Sequence, residues 1–300
     1  MKYYISFEAG GTSIRFAILD EALNVIQFEK ISTRDFNASA DTFAVLCDSL
    51  DGMIASVGKE NVLAICSSWA SMLDLDCRVL LSTPNIRGFD NFPIADRLEE
   101  RFSLPAIIVR DCNSLLLYEI WKQKLDPQGI IMGAFLGTGL GNAMCINNEL
   151  YNGANGACCE LGHIPVRGVD GTCVCGKQGC IEVICSGKQL HRMAEEKYKV
   201  PISEIFLKHL NEEDVYNVVR FSAIAIATEI TILDPKYMVI GGGVLSIPGF
   251  PFERFEAEIR NNLRFPNPRY SSKFVYATGD AHAGVIGAAL NARNVLFSKS

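Results

Sequence analysis

The 300-residue chain is short of several things, and each shortage narrows what it can be. It carries 28 Lys and Arg against 34 Asp and Glu, a net charge of −6, with no long basic run. That balance argues against nucleic acid or an anionic membrane as the main partner. No apolar stretch approaches the ~18 residues needed to span a bilayer, so no membrane is expected. A strand-like segment begins at Tyr3, which leaves no room for a secretory leader and points to a cytoplasmic location. No G-x-x-x-x-G-K-[ST] string occurs, which excludes a P-loop. No G-x-G-x-x-G opens an early helix, which argues against a Rossmann dinucleotide site. No stretch is low in complexity or linker-like.

What is present is a repeated grammar. Tyr4–Phe7 reads as a strand, Glu8-Ala9-Gly10-Gly11-Thr12 as a glycine turn, and Ile14, Phe16 and Ile18 as an alternating strand that turns again at Asp20. The same order returns at Ile131–Leu136, Gly137-Thr138-Gly139-Leu140-Gly141 and Ala143–Ile146, turning at Asn147. Repetition of one supersecondary unit implies two related domains; the boundary is placed near residue 115, giving lobes 1–115 and 116–300. Helices are expected at Thr42–Val57, Pro93–Phe102, Ser114–Lys124 and Ala283–Asn294. The clearest carries Val215, Val218, Val219, Ser222, Ala223, Ile226, Ala227, Ile230 and Leu233 on one stripe, ending at Asp234-Pro235. Strands alternating with helices give an α/β fold.

Three glycine turns follow apolar strands: Gly10-Gly11-Thr12, Gly137-Thr138-Gly139 and Gly241-Gly242-Gly243. One such turn is explained by a tight hairpin. Three together favour the phosphates and base edge of a nucleotide, because glycine lets backbone N–H groups approach an anion. Asp111 ends a short apolar strand, where a carboxylate in an α/β sheet meets the ligand crevice. It can serve as a general base there, or cap the helix that follows.

Eleven cysteines are present. Cys47, Cys66, Cys77, Cys112 and Cys145 lie in apolar surroundings and read as buried thiols. His163, Cys173, Cys175 and Cys180 fall within 18 residues, separated by glycines, and supply the four ligands of a structural Zn²⁺ site. Reduced thiols or a disulfide are the alternatives, and Cys158, Cys159 and Cys185 are the competing ligands.

Taken jointly, Glu8–Thr12, Thr83-Pro84-Asn85, Asp111-Cys112-Asn113, Gly137–Gly141, Gly153–Gly156, Glu160–His163, Cys173–Glu182, Gly241–Val244 and Ala283–Ala289 resemble the ROK family of sugar kinases and repressors. The resemblance implies a two-lobed hexokinase/actin-like (ribonuclease H-like) fold with an internal duplication, the last helix packing back on the N-terminal lobe. It implies an ATP-dependent hexose kinase acting on a 6-hydroxyl, with Mg²⁺ and structural Zn²⁺, working as a homodimer. Asp111 would be the catalytic base. Asn85, Asn113, Glu160, His163 and Glu182 would hold the sugar. Glu8, Gly10, Gly11, Thr12, Gly137, Thr138, Gly139, Gly241, Gly242 and Gly243 would face ATP. His163 would serve both sugar and zinc.

Within the family, Ser82–Asn85, Arg110–Asn113 and Gly153–Gly156 are most similar to members acting on D-allose. Glucose, fructose, mannose and N-acetylmannosamine are the alternatives, and a non-catalytic sugar-sensing regulator is the rival reading. The chain departs from the family pattern at Glu8 (usually Asp), Ser68-Trp69-Ala70-Ser71 (usually G-x-P-G-like), Arg110 (usually Asn) and Asn142 (usually Gly).

Overall fold

A computed structural model describes residues 1–297. The chain divides into two units. Unit 1 comprises Met1–Leu125, Asn152–Cys158 and the segment from Asp280 onward; unit 2 comprises Asp126–Tyr151 and Cys159–Gly279. The expected boundary near 115 falls inside a helix, and the change of unit comes at Asp126.

Unit 1 starts with β1 (Tyr3–Ala9), β2 (Ser13–Asp20) and β3 (Val25–Ser32), an antiparallel meander, followed by α1 (Thr33–Asn37) and α2 (Thr42–Val57). Then come β4 (Val62–Trp69), a small ribbon of β5 (Met72–Leu73) and β6 (Leu80–Ser82), α3 (Ile94–Phe102), β7 (Ala106–Arg110) and α4 (Asp111–Lys122). β1, β4 and β7 run parallel, so the five-stranded sheet has the order β3-β2-β1-β4-β7. Its central strands are buried almost throughout, as expected of strands covered on both faces.

Unit 2 repeats this plan. β8 (Ile130–Leu136), β9 (Leu140–Ile146) and β10 (Glu149–Leu150) form the meander. The helices α5 (Glu182–Cys185), α6 (Gly187–Arg192), α7 (Ile205–His209) and α8 (Glu213–Leu233) precede β11 (Tyr237–Gly241). α9 (Phe252–Asn261) leads to β12 (Phe274–Tyr276), and β8, β11 and β12 are parallel. The order β10-β9-β8-β11-β12 is that of unit 1, so the duplication read from the glycine hairpins extends to the whole sheet. α8 corrects one expectation. It is long and apolar enough to cross a membrane by length and composition, although half of that stretch is buried inside the protein. It packs on α5, α7, α9 and β8, and ends where Asp234 turns left-handed ahead of Pro235.

The chain returns to unit 1 with α10 (Ala283–Phe297), which lies on α4 and on strands β1, β4 and β7. Small residues make this possible. A Cβ on Gly287 would sit 2.0 Å from the Ser114 carbonyl oxygen, so only glycine permits the helices to come this close. Ser6 Oγ donates to Val285 O at 2.7 Å, and Tyr118 Oη on α4 donates to Asp280 at 2.5 Å.

Candidate active site

In unit 1 the turn between β1 and β2 is built from its backbone upward. Gly10 N donates to Ser13 O at 3.1 Å, and Thr33 clamps it from α1, giving its Oγ1 proton to Gly10 O at 2.7 Å and its N–H to Thr12 O at 3.0 Å. Asn85 lies against the turn: a Cβ on Gly11 would be 3.3 Å from its amide. The Asn85 loop is fixed from α1 and from within, since Asn37 donates to Asn85 O at 2.9 Å and Asp90 accepts from Thr83 N and Oγ1 at 2.6 and 3.0 Å. Glu8 is the penultimate residue of β1, nearly buried. Its Oε2 accepts from Arg15 Nη1 at 2.7 Å across the hairpin, and burial raises its pKa while Arg15 opposes the rise.

Asp111 is the first residue of α4, immediately after β7. Arg110 occupies the capping position, so Asp111 is not the cap itself. Its Oδ1 accepts from Cys112 N at 2.8 Å. Burial pushes the carboxyl up, while the Cys112 N–H and then Arg110 pull it down; the helix N-terminus also favours its anion. Two residues on, Asn113 is buried, and its Nδ2 donates to Asn152 Oδ1 at 2.9 Å. Arg110 Nη1 donates to the Cys158 carbonyl at 2.8 Å. Of the Ser68–Ser71 segment, Ser68 and Trp69 belong to the core: Ser68 Oγ shares a 2.8 Å hydrogen bond with Ser114 Oγ, and Trp69 packs edge-on to Phe7.

Unit 2 assembles a second group. Gly187 N and Lys188 N, at the start of α6, donate to Gly137 O and Thr138 O at 2.9 and 3.1 Å. Because a trans peptide holds C=O and N–H on opposite sides, the Thr138 and Gly139 N–H groups face away from α6. Glu182 reaches the same turn, accepting from Leu140 N at 2.9 Å; a Cβ on Gly139 would be 2.3 Å from its Oε2. Gly162 lies 3.1 Å from that oxygen by the same measure, which brings the Glu160–His163 segment alongside. Gly242, at φ +103°, lies against the end of β8, where a Cβ would be 2.3 Å from Leu136 O. Thus Gly137–Gly139, Glu182, the Glu160–His163 segment and Gly241–Gly243 gather at one end of the unit 2 sheet.

His163, Cys173, Cys175 and Cys180 come together, their ligand atoms all within 4.8 Å of one another. Cys175 Sγ and Cys180 Sγ are 3.6 Å apart, and Cys173 Sγ is 3.4 Å from His163 Nδ1. Tetrahedral Zn²⁺ with its usual bond lengths separates two sulfurs by about 3.8 Å and a sulfur from a nitrogen by about 3.6 Å, so this donor set fits the ion. Burial and the neighbouring thiols push Cys180 up to about 12, while the Lys177 N–H lowers Cys175. Among the described residues Cys158, Cys159 and Cys185 stand outside the cluster. His163 turns its other nitrogen to Glu160, with Nε2 3.6 Å from Oε2. His163 thus turns Nδ1 toward the cysteines and Nε2 toward Glu160.

The ROK family model matches residues 4–295. The chain belongs to the ROK family. A glucokinase of Halalkalibacterium halodurans is 29% identical over 314 residues, covering 95% of this chain and 93% of the relative. An N-acetyl-D-glucosamine kinase of Pectobacterium atrosepticum is 29% identical over 258 residues, covering 80% and 84%. Among solved structures, a ROK family glucokinase from Streptomyces griseus in complex with glucose and AMPPNP superposes with a TM-score of 0.76 at 24% identity, over 96% of this chain and 98% of that one. The two ROK chains share one fold. The sequence left three partners unread. Arg15 had a signal, since it faces Glu8 in the β1–β2 register. Asn152 and Glu229 had none, because their partners lie 39 and 87 residues away.

Proposed function

We propose that the chain is an ATP-dependent hexose kinase in which Asp111 is the general base. The observation that carries this is the setting of Asp111. It is an acid at the end of a parallel strand, on the first turn of α4, two residues from Asn113, in the unit that also holds the Gly10–Thr12 turn with Asn85 against it. Partial burial makes Asp111 a stronger base than an exposed aspartate, and the Cys112 N–H orients it. The sugar 6-hydroxyl gives its proton to Asp111 as its oxygen bonds to the γ-phosphorus and the bond to the ADP oxygen breaks.

Unit 2 supplies the outward N–H groups of Thr138 and Gly139 for phosphate, and Glu160, His163 and Glu182 for sugar hydroxyls. Mg²⁺ bound with ATP would supply charge neutralisation at the phosphates; Glu8, held by Arg15, and Asp111 are the carboxylates that unit 1 would offer it. His163 Nδ1 and the three cysteines would hold Zn²⁺ as a structural clip, keeping Glu160 and Glu182 in place. D-allose is the acceptor we place first. Glucose and N-acetylglucosamine, the sugars named for the relatives, follow, because single hydrogen bonds decide among such epimers and analogues.

The test is ADP release with Mg²⁺–ATP over a hexose panel, beside D111N. Turnover on one sugar that falls at least ~10²-fold in D111N, the scale of a lost general base, is the expected result. Sugar binding without turnover in the wild type would favour a sugar-sensing role instead.

A further inference from the structure

The short segment Asn152–Cys158 belongs to unit 1 although the chain on either side of it belongs to unit 2. It closes on itself, Cys158 N donating to Asn152 O at 3.1 Å. It is pinned from outside by Arg110 Nη1 on the Cys158 carbonyl at 2.8 Å. It also lies on the backbone of the β5–β6 ribbon, since a Cβ on Gly156 would be 3.3 Å from Leu73 O and Leu75 N. The Asn152 side chain is therefore presented from a fixed backbone. Its Oδ1 takes the Asn113 Nδ2 proton at 2.9 Å, and Asn113 is only 4% exposed.

A carboxamide has one donor arm and one acceptor arm. With the nitrogen arm of Asn113 committed to Asn152, its Oδ1 is left as an acceptor two residues from Asp111. We propose that Asn152 is a positioning residue: it locks the Asn113 amide so that this side chain offers its oxygen to a sugar hydroxyl. This rests on the kinase reading above. Arg110 then has a part as well. Besides lowering the pKa of Asp111, it holds the segment from which Asn152 reaches, so the cation beside the base and the asparagine behind it form one support.

The experiment is steady-state kinetics of the full-length enzyme on its best hexose, with KM measured separately for sugar and for ATP, in N152A and N152D. N152A leaves Asn113 with a buried donor and a free rotor. Its sugar KM should rise about 5–30-fold, the scale of one buried hydrogen bond, with little change in the KM for ATP. N152D keeps the acceptor and removes the donor, and should hold most of the wild-type sugar KM. N152S, too short to reach Asn113, stands in if N152A does not fold.

An N152D enzyme as impaired as N152A would mean the hydrogen bond runs the other way, and overturns the proposal. So would an N152A enzyme whose two KM values and melting temperature all move together, which is the mark of a merely structural residue. An active wild type whose sugar KM is unmoved in N152A sinks this proposal alone. A wild type that neither binds nor phosphorylates any hexose sinks the kinase reading, and the proposal falls with it.

Discussion

Glu229→Gln should make the protein more stable, and increasingly so as the pH rises. Glu229 projects from α8 into unit 2, 8% exposed. Its Oε2 accepts from Asn142 Nδ2 at 2.8 Å; that amide also gives a proton to Gly133 O at 2.7 Å. Asn142 is fully buried, and its Oδ1 has no hydrogen-bond partner among the described residues. Burial pushes the Glu229 carboxyl up to about 8, with Asn142 pulling weakly the other way. An unfolded glutamate titrates near 4.3. Between these values the native state binds the proton and the unfolded state does not, so stability falls as pH rises through the window. At 1.36 kcal/mol per pH unit the whole span amounts to about 5 kcal/mol, of which about 3 kcal/mol falls between pH 5.5 and 8.5.

Glutamine has the same shape and no titration. Its oxygen can accept from Asn142 Nδ2, and its nitrogen can donate to Asn142 Oδ1. Urea unfolding of wild type and E229Q at pH 5.5, 7 and 8.5 reads the effect directly. The stability difference in favour of E229Q should grow by about 3 kcal/mol from the lowest to the highest pH. Parallel curves for the two proteins would show that Glu229 does not change its charge in this range, and the reasoning from burial would fail.

Other outcomes follow from the same structure. Gly287→Ala should destabilise unit 1 by about 1–3 kcal/mol, because overpacking against the Ser114 carbonyl outweighs the better helix propensity of alanine; a melting temperature at or above wild type would refute the close helix contact. D111N should lose turnover yet melt no lower than wild type, since it relieves a buried carboxylate; a large drop in melting temperature would make Asp111 a structural residue. Purified protein should carry about one zinc per chain by elemental analysis, and C180S should lose both that zinc and several degrees of melting temperature. Zinc-free protein with a wild-type melting curve would rule out the clip.

How much of this could be read in advance depended on distance along the chain. The hairpin at Gly10, its repeat at Gly137 and the helix Thr42–Val57 are local patterns, and Asp41 caps that helix through Ala44 N as its side chain allows. The His163–Cys180 cluster was legible for the same reason, with four ligands inside 18 residues and glycines to let the chain wrap. α4 begins three residues before the expected Ser114. Arg110 caps it without a side-chain hydrogen bond, so the usual start signal is missing, and Asp111 is helical rather than the cap. α9 and β12 were not picked out, being short elements whose place is set by packing on α8 and pairing with β11.

The four departures from the family pattern show why single positions mislead. Read alone, Glu8, Arg110, Asn142 and the Ser68–Ser71 segment each put a site role in question. In the structure each has a partner within its own unit: Glu8 meets Arg15, Arg110 meets the Cys158 carbonyl, Asn142 meets Glu229, and Ser68 meets Ser114. Most buried polar side chains find a hydrogen bond, and at these positions a second residue supplies one, while Ser71 Oγ and Asn142 Oδ1 are left without a partner among the described residues. For Glu8 the second residue is a cation that offsets the burial of a carboxylate at the end of β1. For Arg110 it is a backbone carbonyl on the segment that carries Asn152. The unit 1 departures therefore rearrange the support behind the Gly10 turn and Asp111, while Asn142 changes the interior of unit 2, and Asp111, Asn113, Asn85 and the turn itself keep the residues of the resemblance. Differences in sugar preference should accordingly be sought in that support, starting with the Arg110–Cys158 and Asn113–Asn152 contacts.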